Sequence, residues 1–264
     1  MASWSFGRWR QSRILRRSRI DEKQWRETLE RYPFLAGLSD EETARLKERV
    51  ALFLHAKQIH GAAGLALDEE MKLAIAVQAC LVILNLPAHW YDGWVEVIVY
   101  PDEFVPTMQW EDEYGVVHES HEPHAGEAWL QGPVILSWAD VAQTRGDGVN
   151  VVIHEFAHKL DMLNGEADGF PPLHAQMDRA RWTSAFSAAY KDFCAQVERD
   201  APTGIDPYAA ESPGEFFAVV SEAFFELPET VLESYAEVYD QLAAFYRQDP
   251  YARHLAAGVL QPID

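Results

Sequence analysis

The chain has 264 residues, 48 % of them hydrophobic, with nine Trp and thirteen Phe, which is enough apolar material for a sizeable core and excludes a disordered protein. A formal net charge of −20 argues against general nucleic-acid binding. The two cysteines, Cys80 and Cys194, are too few for a disulfide framework; both fall in apolar helical patterns and read as reduced thiols, which points to the cytoplasm.

In chain order, residues 1–20 come first, with six arginines (Arg8, Arg10, Arg13, Arg16, Arg17, Arg19) and no acid. The remainder therefore carries 16 basic against 42 acidic residues, a net charge near −26. The segment reads as a flexible basic tail that folds back on an acidic body. Contact with acidic lipid, nucleic acid or a protein partner is the alternative. It lacks the uninterrupted apolar stretch of a secretory signal. Residues 21–264 read as one domain that opens with a helical portion to about residue 86. Asp21 to Arg31 is a short helix ended near Pro33. Ser39-Asp40-Glu41-Glu42 is a capping box that opens a helix to about Leu54. Leu67 to Leu86 is a third helix, stopped before Pro87; its apolar run is too short to span a bilayer and carries Gln78.

Trp94 to Tyr100 is a strand of β-branched and aromatic residues. Residues 102–132 are acidic and loop-like, with Gly115, Gly126 and Gly132 as breakers. Inside them His118, His121 and His124 (H-E-S-H-E-P-H) read as a solvated loop rather than a second cation site, because Pro123 spoils a helix there. Val134 to Trp138 is another strand. Met177 to Arg199 is a long amphipathic helix, and Ser212 to Glu226 and Glu229 to Gln248 are two more. The pattern predicts an α+β fold, mostly helical, with a small sheet beside the helix that carries the motif below. An exposed edge of that sheet offers backbone hydrogen bonds to an extended peptide; which strand is the edge is not legible in sequence.

That motif is His154-Glu155-Phe156-Ala157-His158, H-E-x-x-H. Residues four apart share one face of an α-helix, so the two imidazoles are placed to grip one Zn²⁺. The glutamate between them is placed to take a proton from a water that the metal acidifies. Val149 to Ile153 is apolar, Phe156, Ala157 and Leu160 continue the helical core pattern, and Asn164-Gly165 supplies a stop, so about four turns of helix are expected.

A catalytic zinc site needs a third protein ligand. The metzincin extension requires glycine at position 161 and histidine at position 164; the chain has Asp161 and Asn164. Asp161 shares the motif's face, but it is short and lies one turn beyond His158, which favours a loop-anchoring or ligand-orienting role. Glu215 and Glu222, seven residues apart on one face of the Ser212–Glu226 helix, are the stronger candidates. Their neighbours are apolar, so each carboxylate needs a partner. Ser212-Pro213-Gly214-Glu215 is also a capping box, so Glu215 has a purely local alternative. Geometry read from sequence leaves the two glutamates even.

The segments G-P-V-I-L-S-W at 132–138, H-E-F-A-H-K-L-D-M-L-N-G at 154–165 and I-D-P-Y-A-A-E-S-P-G-E-F-F-A-V-V-S-E at 205–222 resemble the Mlc titration factor A family of zinc metallopeptidases. The catalytic fold of that family is similar to the anthrax lethal factor protease domain. The likeness spans most of residues 21–264. It implies one zinc per chain held by His154, His158 and Glu215, with Glu155 as general base and Tyr208, seven residues before Glu215, as a transition-state hydrogen-bond donor. It implies aminopeptidase-type hydrolysis of short peptides, and a regulatory role through binding the glucose repressor Mlc. A non-catalytic, repressor-sequestering protein whose zinc is structural or regulatory is the competing expectation. Neither needs direct nucleic-acid contact or a membrane span.

Overall fold

The computed structural model describes residues 11–18, 20–102, 108–111, 117–120, 126–128 and 132–262, the three short internal stretches by their backbone alone. Within the basic segment, residues 11–17 form helix α1; residues 1–10 and 19 lie outside the described residues. Local side-chain caps then start the helices. Asp21 Oδ1 accepts the N–H groups of Lys23 and Gln24 at 3.0 Å and opens α2, Glu22–Arg31. Ser39 and Glu42 form both halves of the capping box on α3, Asp40–Ala56. Asp68 caps α4, Glu69–Val82, through the Met71 N–H at 2.8 Å. Eleven of the fourteen α4 residues are buried, as a helix apolar on all sides must be.

The sheet has the order β1-β2-β6-β5. Strands β1 (Gln58–Gly61), β2 (Glu96–Tyr100) and β6 (Val134–Ser137) run parallel, and β5 (Gly126–Ala128) lies antiparallel on the β6 edge. A separate antiparallel pair joins β3 (Met108–Glu111) to β4 (Val117–Ser120), with Trp110 opposite His118. The loop-like reading of residues 102–132 is thereby corrected: three strands lie within it. Each is only three or four residues long, too short for an alternation signal, and acidic side chains mask what pattern there is. Gly126, read as a breaker, opens the edge strand. The side chains of His118, His121 and His124 lie outside the described residues.

Ser137 ends β6 and caps α5, Trp138–Gln143. The motif helix α6 is Val151–Asp161, extended by a 3-10 turn, Met162–Asn164, that stops at Gly165. Then follow α7 (Arg179–Val197), a 3-10 turn (Pro207–Ala210), α8 (Pro213–Glu226), α9 (Pro228–Ser234), α10 (Ala236–Tyr246) and α11 (Pro250–Ala256). The single helix expected over Glu229 to Gln248 is two. Tyr235 leaves helical geometry (φ −143°, ψ 62°), and its hydroxyl reaches α7, donating to Asp192 at 3.2 Å and accepting from Gln196 at 3.1 Å. Tertiary contacts override a continuous helical pattern there.

Helix α6 is held from every side. Val152, Ile153, Phe156, Ala157 and Leu160 have no exposed surface. The Phe156 ring lies 5.2–5.7 Å from the rings of Phe53, Tyr91 and Trp94. These contacts tie α6 to α3 and to the residues leading into β2. Phe156→Ala is therefore expected to cost about 3–5 kcal/mol, read as a lower urea midpoint at unchanged slope. Among the described residues no helix is long and apolar enough to cross a membrane.

Candidate metal centre

Asn150 starts the site. Its side-chain oxygen accepts the Ile153 N–H at 3.0 Å and caps α6, which sets the helical phase that puts His154 and His158 one above the other. Helix α8 packs across α6 and brings Glu215 to the same point. His154 Nε2 lies 3.1 Å from His158 Nε2 and 3.1 Å from Glu215 Oε2; His158 Nε2 lies 3.4 Å from Glu215 Oε2. Ligand atoms about 2.0–2.2 Å from a tetrahedral zinc sit roughly 3.3–3.5 Å apart. The three donors thus have close to the spacing of one face of a zinc tetrahedron. Among the described residues, they form the group of His, Cys, Asp or Glu donors close enough to share an ion.

The electrostatics suit a cation. Burial alone would depress the His154 imidazolium, but Glu222 and Glu215 outweigh it and raise its pKa well above the ordinary value. Burial would likewise raise Glu215, yet hydrogen bonds from His154 and His158 hold its carboxyl well below the usual carboxylate range. The two shifts agree: negative charge at Glu215 is stabilised by positive charge at the imidazoles. A divalent ion would supply that charge and displace the proton.

The two glutamates separate in space. Ser212 Oγ accepts the Glu215 N–H at 3.1 Å, but only that half of the capping box forms, since the Glu215 carboxylate is turned toward the imidazoles. Glu222 sits on the other nitrogen of His154, with Oε1 2.7 Å from Nδ1. Asp161 joins neither group. It is fully buried and accepts the Gly169 N–H at 2.7 Å, anchoring the loop after the motif helix. Burial pushes its carboxyl up to about 7.

That loop lies against the first turn of α8. A side chain on Gly169, already at φ +77°, would come within 2.5 Å of the Pro213 carbonyl oxygen. A Cβ on Gly214 would come within 2.5 Å of the Ala167 carbonyl oxygen. Both contacts are with backbone, which cannot swing aside. Gly214→Ala is expected to push the adjacent Glu215 out of place, seen as weakened zinc binding in a chelator competition while Glu155 and the histidines are unchanged.

Glu155, the motif glutamate, is 3 % exposed and adjacent in chain to His154. Tyr208 stands at the rim: its ring centroid is 6.2 Å from that of His154, and it is 48 % exposed. Asp206 Oδ1 accepts the Tyr208 N–H at 2.9 Å and caps its turn. The five residues to which motif and resemblance gave roles, His154, Glu155, His158, Tyr208 and Glu215, are on α6, on α8, or on the turn packed against α8. Sequence reading missed Asn150, Gln78 and Glu226, which lie behind the site and are buried. Each gave a signal: an amide or acid inside an apolar run.

Comparison with known proteins agrees with this geometry. The profile of a family described as glucose-regulated metallo-peptidase M90 matches residues 6–247. The chain is 39 % identical over 224 residues to a Cronobacter sakazakii protein named Mlc titration factor A, covering 84 % of each chain. It is 37 % identical over 241 residues to the protein of that name from Klebsiella pneumoniae, covering 90 % of this chain and 91 % of the relative. The Yersinia enterocolitica protein of the same name is 39 % identical over 235 residues, 87 % of each.

Proposed function

Because the chain belongs to the M90 family of glucose-regulated metallopeptidases, we propose that it is a zinc peptidase of aminopeptidase type, in which His154, His158 and Glu215 hold the metal, Glu155 is the general base and Tyr208 stabilises the transition state. The observation that carries this reading is the triangle of donor atoms with 3.1, 3.1 and 3.4 Å sides.

When bound there, zinc would act as a Lewis acid toward a carbonyl and would acidify water. The remaining work falls to the protein. Glu155 takes the proton of the attacking water and returns it to the leaving amine. The Tyr208 hydroxyl, at the open rim, donates to the carbonyl oxygen as negative charge develops on it. Among the described residues β5 is the edge strand that packs against α6, the position from which a strand's outer backbone groups bind an extended peptide. The net charge of −20 favours approach of a cationic amino end. Tyr208→Phe is expected to lower kcat about 10²–10³-fold with zinc content unchanged, measured by steady-state kinetics beside elemental analysis.

The deciding experiment is elemental analysis of the purified protein, then a screen of chromogenic aminoacyl substrates with a chelator control. A protein without bound zinc would sink the metal reading. A zinc protein that cleaves only amino-blocked peptides would sink the aminopeptidase reading.

A second reading is favoured by the relatives' name: capture of the repressor Mlc, with or without turnover. A pull-down with Glu155→Gln separates the two, since capture without hydrolysis would show binding independent of catalysis. The two free thiols, Cys80 and Cys194, support a cytoplasmic setting for either role.

A further inference from the structure

Behind His154 lies a continuous buried hydrogen-bond network that the proposed chemistry does not use. Glu222 Oε1 is 2.7 Å from His154 Nδ1, and Glu222 Oε2 accepts the backbone N–H of Asn150. The Asn150 amide group donates to Gln78 Oε1 at 2.8 Å and to Glu226 Oε1 at 2.7 Å, while its oxygen caps α6. Gln78 in turn donates to the Ala74 carbonyl on α4 at 3.1 Å, and Glu226 Oε2 accepts the Gly148 N–H at 3.0 Å. Asn150, Gln78, Glu222 and Glu226 are all at most 6 % exposed.

With Glu222 as a carboxylate, the directions of these bonds follow from the donors and acceptors that meet. Glu222 Oε2 accepts the Asn150 N–H, and a carboxylate has no hydrogen to donate from Oε1, so the proton of that contact lies on His154 Nδ1. In the neutral imidazole that binds a metal, the lone pair then falls on His154 Nε2, which faces His158 and Glu215. Asn150 likewise has one possible orientation, because both its amide hydrogens meet acceptors and its oxygen meets a donor. Such a network has no slack: reversing one member leaves a buried group unpaired.

We propose that Glu222 and Asn150 are positioning residues for the metal, with Glu222 fixing the ring and tautomer of His154 and Asn150 locking Glu222 to the start of the motif helix. Neither touches the metal or substrate. The inference deepens the zinc reading above and rests on it. Partners of this kind change metal affinity about 10–100-fold when removed.

The test measures Zn²⁺ affinity by competition with a chromophoric chelator in the full chain, for the wild type, Glu222→Gln, Asn150→Asp, Asn150→Ser and Val220→Ala. Asn150→Asp keeps the helix cap but points an oxygen at Gln78 and Glu226. If it does not fold, Asn150→Ser, which also caps, takes its place. Val220 is buried on α8 outside the network and controls for loss of stability. The expected result is zinc binding about 10–100-fold weaker in Glu222→Gln, a loss in the same direction in the Asn150 variants, and little change in Val220→Ala. In the zinc-loaded wild type, ¹⁵N NMR should show a His154 Nδ1–H that exchanges slowly with water, and Glu222→Gln should speed that exchange. Wild-type protein that binds no zinc would refute the metal reading itself. Wild-type protein that binds zinc while Glu222→Gln binds it equally well, or Val220→Ala loses as much, would overturn this inference alone.

Discussion

Glu155→Gln is expected to retain stoichiometric zinc and to hydrolyse peptides about 10²–10⁴-fold more slowly than the wild type. Glutamine has the same shape, so the packing of α6 around residue 155 is kept. The donor atoms that face one another belong to His154, His158 and Glu215, so removal of the Glu155 charge leaves the triangle intact. What disappears is the basic oxygen. An amide cannot take a proton from water, nor return one to the leaving amine. Elemental analysis and single-turnover kinetics on one preparation make the comparison. Full turnover with bound zinc would dismiss Glu155 as base. Loss of the metal would show that the base and ligand roles are not separable.

The part of this site that was legible in sequence is the part fixed by neighbours in the chain. His154 and His158 meet because four residues make about one helical turn, and the caps at Ser39 and Ser212 are set within three residues. The choice between Glu215 and Glu222 was not of this kind. Both lie on one face of α8, and which one reaches the Nε2 side of the imidazoles depends on where α8 crosses α6. That crossing is fixed by packing among residues more than fifty positions apart, and the family resemblance supplied what spacing did not. The same limit explains the strands between 108 and 128. Three or four residues carry no usable period, and their existence rests on pairing with a partner elsewhere in the chain. Helix α11 carried a local signal that sequence reading did not use: Asp249 followed by Pro250 is a good cap and first-turn pair.

Glu215→Gln tests that crossing directly. The backbone N–H of residue 215 still donates to Ser212 Oγ, so α8 keeps its start. The side chain keeps its length but loses the negative charge that, with two neutral imidazoles, forms the ligand set. The expected loss in zinc affinity exceeds the roughly 100-fold upper range for an outer partner. Hydrolysis should fall to background at zinc concentrations that saturate the wild type. A thermal consequence follows as well. Zinc at 100 times its dissociation constant adds about 2.7 kcal/mol to the stability of a protein that binds it only when folded. That zinc-dependent rise in Tm should be present in the wild type and absent in Glu215→Gln. The comparison with Glu222→Gln is then decisive, because the two substitutions are chemically identical and seven residues apart. A larger loss at 215 than at 222 assigns Glu215 to the metal and Glu222 to the ring behind it. The reverse order would exchange the two roles, and would mean that α8 meets α6 half a helix away from where its packing places it.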